Sequence, residues 1–391
     1  MTVRVFAFVA GCAPLFAFVA ATAQPSQTLR TESTTIHSYD GRSMPAENVR
    51  ITVPERRAHP GRTISVAGIR ITTAAAHPGN PIVFLMGGPG IPGSVMAPIP
   101  PYFALFERLH EQADVVIIDQ RGIGKSEPNL DCPNEGKPPD DFFLAPGAFT
   151  GYLRQQVAQC AAHWRQQGAD PTAYSTVESA DDLDDLRAAL GYAKVDILGF
   201  SYGTDLALVY LERHEEHVGR MVLQGVNGPG TNIKSPLAVA RKLTQMDALL
   251  AKDAAWKAPI DLETAARKAR ERLAATPAKI TITDRKAGTP VETTVGRQGL
   301  DEIVALNLND TRLPALLVSV AAGDDRVLTQ FAGALWNAMN SGTAQLMGRS
   351  VDCTSQRPAS RMAKAKRESE TAPFGMPVDN EVLTANFCRA V

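Results

Sequence analysis

Charge of one sign is what this chain most plainly lacks. Its 40 Lys+Arg stand against 41 Asp+Glu, a formal charge of −1, so no basic surface suited to a phosphate backbone is expected and nucleic acid is excluded as a partner. The basic stretch Lys364, Lys366, Arg367 reads as a solvated helix face. Long apolar runs are also scarce. The extended one, Val5 to Val19, is too short for a stable membrane span. There is no Cys-x-x-Cys pair and no evident histidine cluster, so neither a metal nor another cofactor is expected. Disorder and a collagen-like repeat are excluded by 44% hydrophobic and 21% charged residues, ordinary values for a packed core.

What is present begins at the N-terminus. Arg4 is the lone charge before the apolar run, and Ala21-Thr22-Ala23 follows it. A charged start, an apolar stretch and small residues in that order describe a secretory signal peptide over residues 1–23, so a secreted or periplasmic location is expected. Five cysteines occur: Cys12, Cys132, Cys160, Cys353 and Cys388. Removal of the signal leaves four, an even number that favours disulfides in an exported protein. Order along the chain suggests Cys132 with Cys160 and Cys353 with Cys388, although four cysteines allow three pairings.

Residues 24 to about 48 read as polar and irregular. Short β-rich runs follow at Ile51–Val53 and Thr63–Thr73. Pro81–Met86, Asp114–Ile118, Val195–Phe200 and Met221–Val226 are apolar on both faces, the mark of buried parallel strands. Helical stretches at 102–112, 152–167, 179–190 and 202–212 alternate with them. That alternation predicts an α/β fold, a mostly parallel sheet with helices on both faces. Gly191 stands just past a helix, where a left-handed cap is wanted. From residue 234 to 345 the chain turns helical and Ala-rich, interrupted by a hairpin at 279–283 and 291–295 around Gly288. We read residues 24–233 as the core, 234–345 as an inserted helical cap and 346–391 as a return towards the core.

Three motifs sit at strand ends. Gly199-Phe200-Ser201-Tyr202-Gly203 is a G-x-S-x-G turn fed by an apolar strand and left by a helix. So sharp a turn lifts the Ser201 hydroxyl above the sheet as a nucleophile, and Gly199 and Gly203 leave room that a side chain would fill. Met86-Gly87-Gly88-Pro89-Gly90 follows the first apolar strand. Acyl transfer needs two donors at a developing oxyanion; the N–H groups of Tyr202 and Gly88 are the candidates, with Gly87, Pro89 and Gly90 forming a loop beside the substrate. Asp119-Gln120-Arg121-Gly122-Ile123-Gly124-Lys125-Ser126 ends the next strand. Its expected role is structural, with Asp119 and Arg121 pairing to brace the loops.

In this order the motifs resemble the proline iminopeptidase and secreted tripeptidyl aminopeptidase family of α/β hydrolases. The likeness covers residues 49 to about 230, loosens over the cap and returns at Cys353 and Cys388. It implies the α/β-hydrolase fold and a serine hydrolase that releases residues from peptide N-termini through an acyl-enzyme without a cofactor. Met86 and Gln224 depart from the family pattern, where histidine and aspartate are usual.

The larger departure is the base. Ser201 needs a histidine to take its proton and an acid to orient that histidine. After Ser201 only His214 and His217 occur, at the far end of the next helix. His37, His59, His77, His110 and His163 fall on segments that should not reach. The resemblance places an aspartate and a histidine in final strands that this sequence does not contain, so the expectation is a C-terminally truncated chain, inactive or weakly active. An esterase of the same fold and a non-catalytic binding protein are the alternatives. For a peptidase, Glu178, Asp324 or Asp325 could receive the substrate's ammonium group.

Overall fold

The computed structural model describes residues 28–59, 61–133, 136–231, 233, 235–340, 343–355, 358–372, 388–389 and 391. The expected signal peptide and Cys12 lie outside the described residues. A seven-stranded sheet forms the centre. Its strands are β1 (Arg30–His37), β2 (Ser43–Pro54), β3 (Thr63–Ile71), β4 (Ile82–Leu85), β5 (Val115–Asp119), β7 (Val195–Phe200) and β8 (Val218–Gln224), in the order β1-β2-β3-β5-β4-β7-β8. The short strand β6 (Asp131–Pro133) lies outside it and pairs with β11 (Thr343–Gln345).

The sheet is mixed. β1/β2, β2/β3 and β3/β5 pair antiparallel, while β5/β4, β4/β7 and β7/β8 pair parallel. The parallel half carries the two glycine motifs. The N-terminal half corrects the sequence reading, because much of residues 24–48 is strand and not irregular. β1 is an edge strand of sequence RTESTTIH, polar except for the buried Ile36, so it lacks the apolar alternation that marks a half-buried strand.

Helices cover both faces. Along β4, Phe84 points into one apolar layer with Phe103 and Phe106 of α1 (Pro100–His110). Val83 and Leu85 point into the opposite layer, shared with Leu183 and Leu186 of α3 (Thr176–Ala189) and Leu206 of α4 (Tyr202–Arg213). The alternation of a strand thus divides one apolar run between two cores. α2 (Ala148–Gln166) lies in the second layer through Val157 and Ala161. Local signals set the ends of α3: Ser175 Oγ accepts from Glu178 N at 3.2 Å, and Gly191 takes a φ of 77° beyond the last turn.

Beyond β8 come α5 (Pro236–Leu250), α6 (Leu262–Ala275), the hairpin β9 (Ala278–Asp284) and β10 (Thr289–Val295), α7 (Arg297–Leu306), α8 (Leu313–Ala321) and α9 (Arg326–Met339). Trp336 and Asn340 donate to Asp284, tying α9 to the hairpin. The chain then returns through β11, α10 (Met347–Thr354) and α11 (Ala359–Ser369). Two disulfides, Cys132–Cys160 and Cys353–Cys388, resolve the three pairings. No helix among the described residues is long and apolar enough to cross a membrane.

Candidate active site

Ser201 is an exposed residue at the junction of β7 and α4. Its backbone sits at φ 51° and ψ −121°, the single positive φ of any non-glycine among the described residues. Such a conformation stores on the order of 1–3 kcal/mol and persists only where surrounding contacts impose it. Those contacts are visible. Ser201 N donates to Gln224 O of β8 at 2.9 Å, and Thr204 N donates back to Ser201 O at 2.9 Å. The Thr204 hydroxyl donates to Ser201 O at 2.6 Å and accepts from Asn227 N at 2.8 Å. Thr204 was missed as a brace by the sequence reading, although it directly follows the G-x-S-x-G turn.

The glycines act by close approach. A methyl group on Gly203 would lie 2.1 Å from Leu85 O at the end of β4, and one on Gly199 would lie 2.9 Å from Gly203 O. A methyl group on Gly87 would meet Ser201 Cβ at 2.8 Å and Ser201 Oγ at 3.3 Å. The Ser201 hydroxyl therefore stands against the Gly87–Gly90 loop. Gly88 and Gly90 hold φ values of 119° and 105°, which only glycine adopts readily. Tyr202 opens α4 with its side chain buried and its hydroxyl bonded to Thr176 Oγ1 at 3.0 Å. Burial pushes that phenol above its ordinary pKa.

The chain returning after the cap closes over the same loop. A methyl group on Gly348 would fall 2.6 Å from Pro89 O, and Gln345 Oε1 lies 3.3 Å from the corresponding position on Gly90. Gln345 and Gly348 were not among the expected site residues. Their proximity comes from pairing of β11 with β6, a contact across more than 200 residues with no local signature.

The brace behind the site differs from expectation. Asp119 does not pair with Arg121. It accepts from Ser94 N at 2.8 Å, Ser94 Oγ at 2.6 Å and Lys125 N at 2.9 Å. Gly124 lies so close to this carboxylate that a methyl group would stand 2.3 Å from Oδ2. Arg121 is fully buried and forks onto Asp182 at 2.7 and 2.6 Å, with Glu55 O, Ala173 O and Pro54 O taking its remaining donors at 2.6, 2.9 and 3.4 Å. Asp119 is saturated by nearby N–H and O–H groups, so the guanidinium takes the carboxylate that arrives on α3. The candidate ammonium receptors are likewise occupied: Glu178 by Arg57 at 2.7 Å, Asp324 by Arg326 at 2.7 Å, and Asp325 by Arg272.

All seven histidines are described, and none is hydrogen-bonded to Ser201. His77 is exposed before β4, at the opposite end of that strand. Nδ1 of His110 contacts Glu107 O, and Nε2 of His163 contacts Gln167. His214 and His217 follow α4, whose 12 residues put them about 18 Å along the axis from Ser201. There His214 Nε2 stands 2.9 Å from Asp181 Oδ1, and His217 Nδ1 stands 2.7 Å from Asp184 Oδ1. Asp184, His214 and His217 form a compact cluster that sequence spacing did not reveal. One ionisable group does lie beneath the nucleophile. Asp205, one turn into α4, is 8% exposed and its Oδ1 has no hydrogen-bond partner. Burial pushes its carboxyl up to about 6.

Serine protease Hip1 of Mycobacterium tuberculosis is 32% identical over 181 residues, covering 44% of this chain and 34% of that protein. Tripeptidyl aminopeptidase of Streptomyces coelicolor is 33% identical over 192 residues, covering 46% of this chain and 35% of that protein. The matches thus span about a third of the length of these curated relatives. Among solved structures, the proline iminopeptidase of Mycobacterium smegmatis aligns over 75% of this chain and 68% of that one, at 18% identity and a TM-score of 0.32. The family model described as alpha/beta hydrolase fold matches residues 80–339. With a serine turn at the end of β7 pressed against the glycine loop after β4, the chain belongs to the alpha/beta hydrolase fold family.

Proposed function

We propose that this chain carries the nucleophile apparatus of an exported serine hydrolase that binds peptide N-termini. In this reading Ser201 Oγ attacks the scissile carbonyl, and the C–N bond breaks as the amine leaves with a proton. The N–H groups of Tyr202 and Gly88 receive the oxyanion, assisted by the N-terminal end of α4. The peptide preference rests on the names of relatives at 32–33% identity, and an exported location is supported by two disulfides. The observation that carries the nucleophile assignment is the left-handed Ser201 with its hydroxyl against Gly87.

None of the described histidines is hydrogen-bonded to Ser201, and in this reading water takes the proton from Oγ. In one dissected serine protease, loss of the base alone costs up to about 10⁶ in kcat. The same observation favours a second reading, a binding protein that keeps the pocket without turnover.

A fluorophosphonate probe tests the proposal. Slow labelling is expected on Ser201, absent from Ser201→Ala, unchanged by His214→Ala and slowed by a tripeptide amide more than by a short-chain ester. Labelling equal in wild type and Ser201→Ala overturns it. Stronger protection by the ester points to an esterase. No labelling combined with calorimetric tripeptide binding supports the second reading.

A further inference from the structure

We propose that Asp184, His214 and His217 form a binding site for a divalent transition-metal ion of the zinc class, remote from Ser201. One donor atom from each residue lies within 4.8 Å of the others. The three come from separate pieces of chain, Asp184 from the last turns of α3 and the histidines from the turn that follows α4. Tetrahedral zinc with ligands at about 2.0–2.2 Å requires donors about 3.3–3.5 Å apart. Half-buried side chains cover that difference by small rotations.

The surroundings point to a ligand role for these imidazoles. His214 Nε2 faces Asp181 Oδ1 at 2.9 Å, while its Nδ1 faces Asp184 Oδ2 at 3.7 Å. Asp181 also accepts two hydrogen bonds from Arg213, both at 2.8 Å. A proton on Nε2 satisfies the shorter contact and leaves a lone pair on Nδ1 aimed at a carboxylate oxygen. That pairing is repulsive unless a second ring proton or a metal ion stands between them. A carboxylate that fixes the outer nitrogen of an imidazole is also the usual support of a metal-binding histidine. His217 differs: its Nδ1 is in direct contact with Asp184 Oδ1 at 2.7 Å, a contact that a metal ion would replace, and its Nε2 stands 3.9 Å from Glu216 Oε1. Metal on Nδ1 would move its proton to Nε2, on the side of Glu216.

Asp184 is suited to the third position. Oδ1 receives Arg187 Nε at 2.7 Å and Tyr210 Oη at 3.0 Å, whereas Oδ2 receives a longer contact of 3.1 Å from the same guanidinium. Oδ2 is thus the freer ligand atom. Two imidazoles with one carboxylate select zinc-class ions over magnesium or calcium. The four described cysteines are in disulfides and do not compete for the metal. Arg187 and Arg213 lie nearby and weaken the site.

Full-length protein is stripped with a chelator, then titrated with zinc against a chromophoric competitor. One equivalent per chain is expected, with at least a tenfold loss of affinity in His214→Ala and again in His217→Ala. Millimolar magnesium or calcium should not displace the zinc. His77→Ala, outside the cluster, should bind as wild type. Each histidine variant is checked for an unchanged circular dichroism spectrum, and the pair keeps the test decisive should one fail to fold. Substoichiometric binding, or wild-type affinity in both cluster variants, overturns the proposal. Neither result alters probe labelling at Ser201, so this inference stands or falls apart from the catalytic one.

Discussion

The two ends of α4 carry complementary halves of a familiar chemistry. At its N-terminal end a strained serine faces a glycine loop without a histidine beside it. At its C-terminal end two histidines face carboxylates with no nucleophile in contact. About 18 Å of helix separates them. The N-terminal end is built by steric exclusion, with glycines packed against backbone oxygens. The C-terminal end is built from charges on partly exposed side chains. Steric exclusion is intolerant of added atoms, whereas a charge network on the surface redistributes. The two ends should therefore respond to substitution on different scales.

The largest response is expected at Gly203. Its added methyl group in Gly203→Ala would sit 2.1 Å from Leu85 O, which is backbone and cannot rotate away. We expect a loss of about 3 kcal/mol or more, beyond usual overpacking costs because β4 itself must shift. Urea denaturation measures it. A loss below about 1 kcal/mol would show that the turn is loose, and the contrast between the ends would disappear.

Next in size is Asp205, one turn below the nucleophile. Its folded pKa of about 6 exceeds the ordinary 3.8. A raised carboxyl contributes stability that is complete below 3.8 and is lost as pH climbs through 6. That difference corresponds to at most about 3 kcal/mol. Asp205→Asn should match wild type near pH 4 and exceed it by up to that amount at pH 7, read as melting temperature against pH. A constant difference across the range would mean that burial does not shift this carboxyl.

These sites differ in how far sequence alone exposes them. β4 and β5 are legible because a strand buried on both faces must be largely apolar, and β7 because its buried face alternates with a half-buried one. The serine turn is legible because its close contacts fix glycine at two set positions around Ser201. β1 is hidden by its polar edge position, and Arg121 misleads because its partner Asp182 lies 61 residues away while Asp119 lies two away. The zinc-class cluster is half legible. His214 and His217 stand three residues apart in sequence, but Asp184 enters through the packing of α3 on α4, which no local pattern encodes. Gln345 and Gly348 stay hidden for the same reason, since only folding of the whole cap brings them to the glycine loop.

A smaller effect separates strain from bulk at the nucleophile. Ser201→Gly removes the side chain from a left-handed backbone and should stabilise by about 1 kcal/mol, the relief of strain reduced by glycine's greater unfolded freedom. Ser201→Ala removes the hydroxyl yet keeps Cβ, so no such gain is expected. Equal stability of the two variants, measured by chemical denaturation, would locate the strain elsewhere.

The smallest change is expected at the opposite end of the helix. His217→Ala deletes one contact to Asp184, but Arg187 Nε at 2.7 Å and Tyr210 Oη at 3.0 Å still hold that carboxylate. No buried charge is left alone, which is the condition that makes loss of an ion-pair partner expensive. In chelator-treated protein the loss should stay within about 1 kcal/mol, as for other partly exposed pairs. With zinc added, the wild type alone should gain stability, because an ion that binds only the folded form shifts the equilibrium by mass action. A metal-dependent gap at His217 set against a metal-independent penalty at Gly203 would place the two ends of one helix under different physical control. Identical gaps with and without zinc would reduce the C-terminal end to an ordinary salt-bridge network.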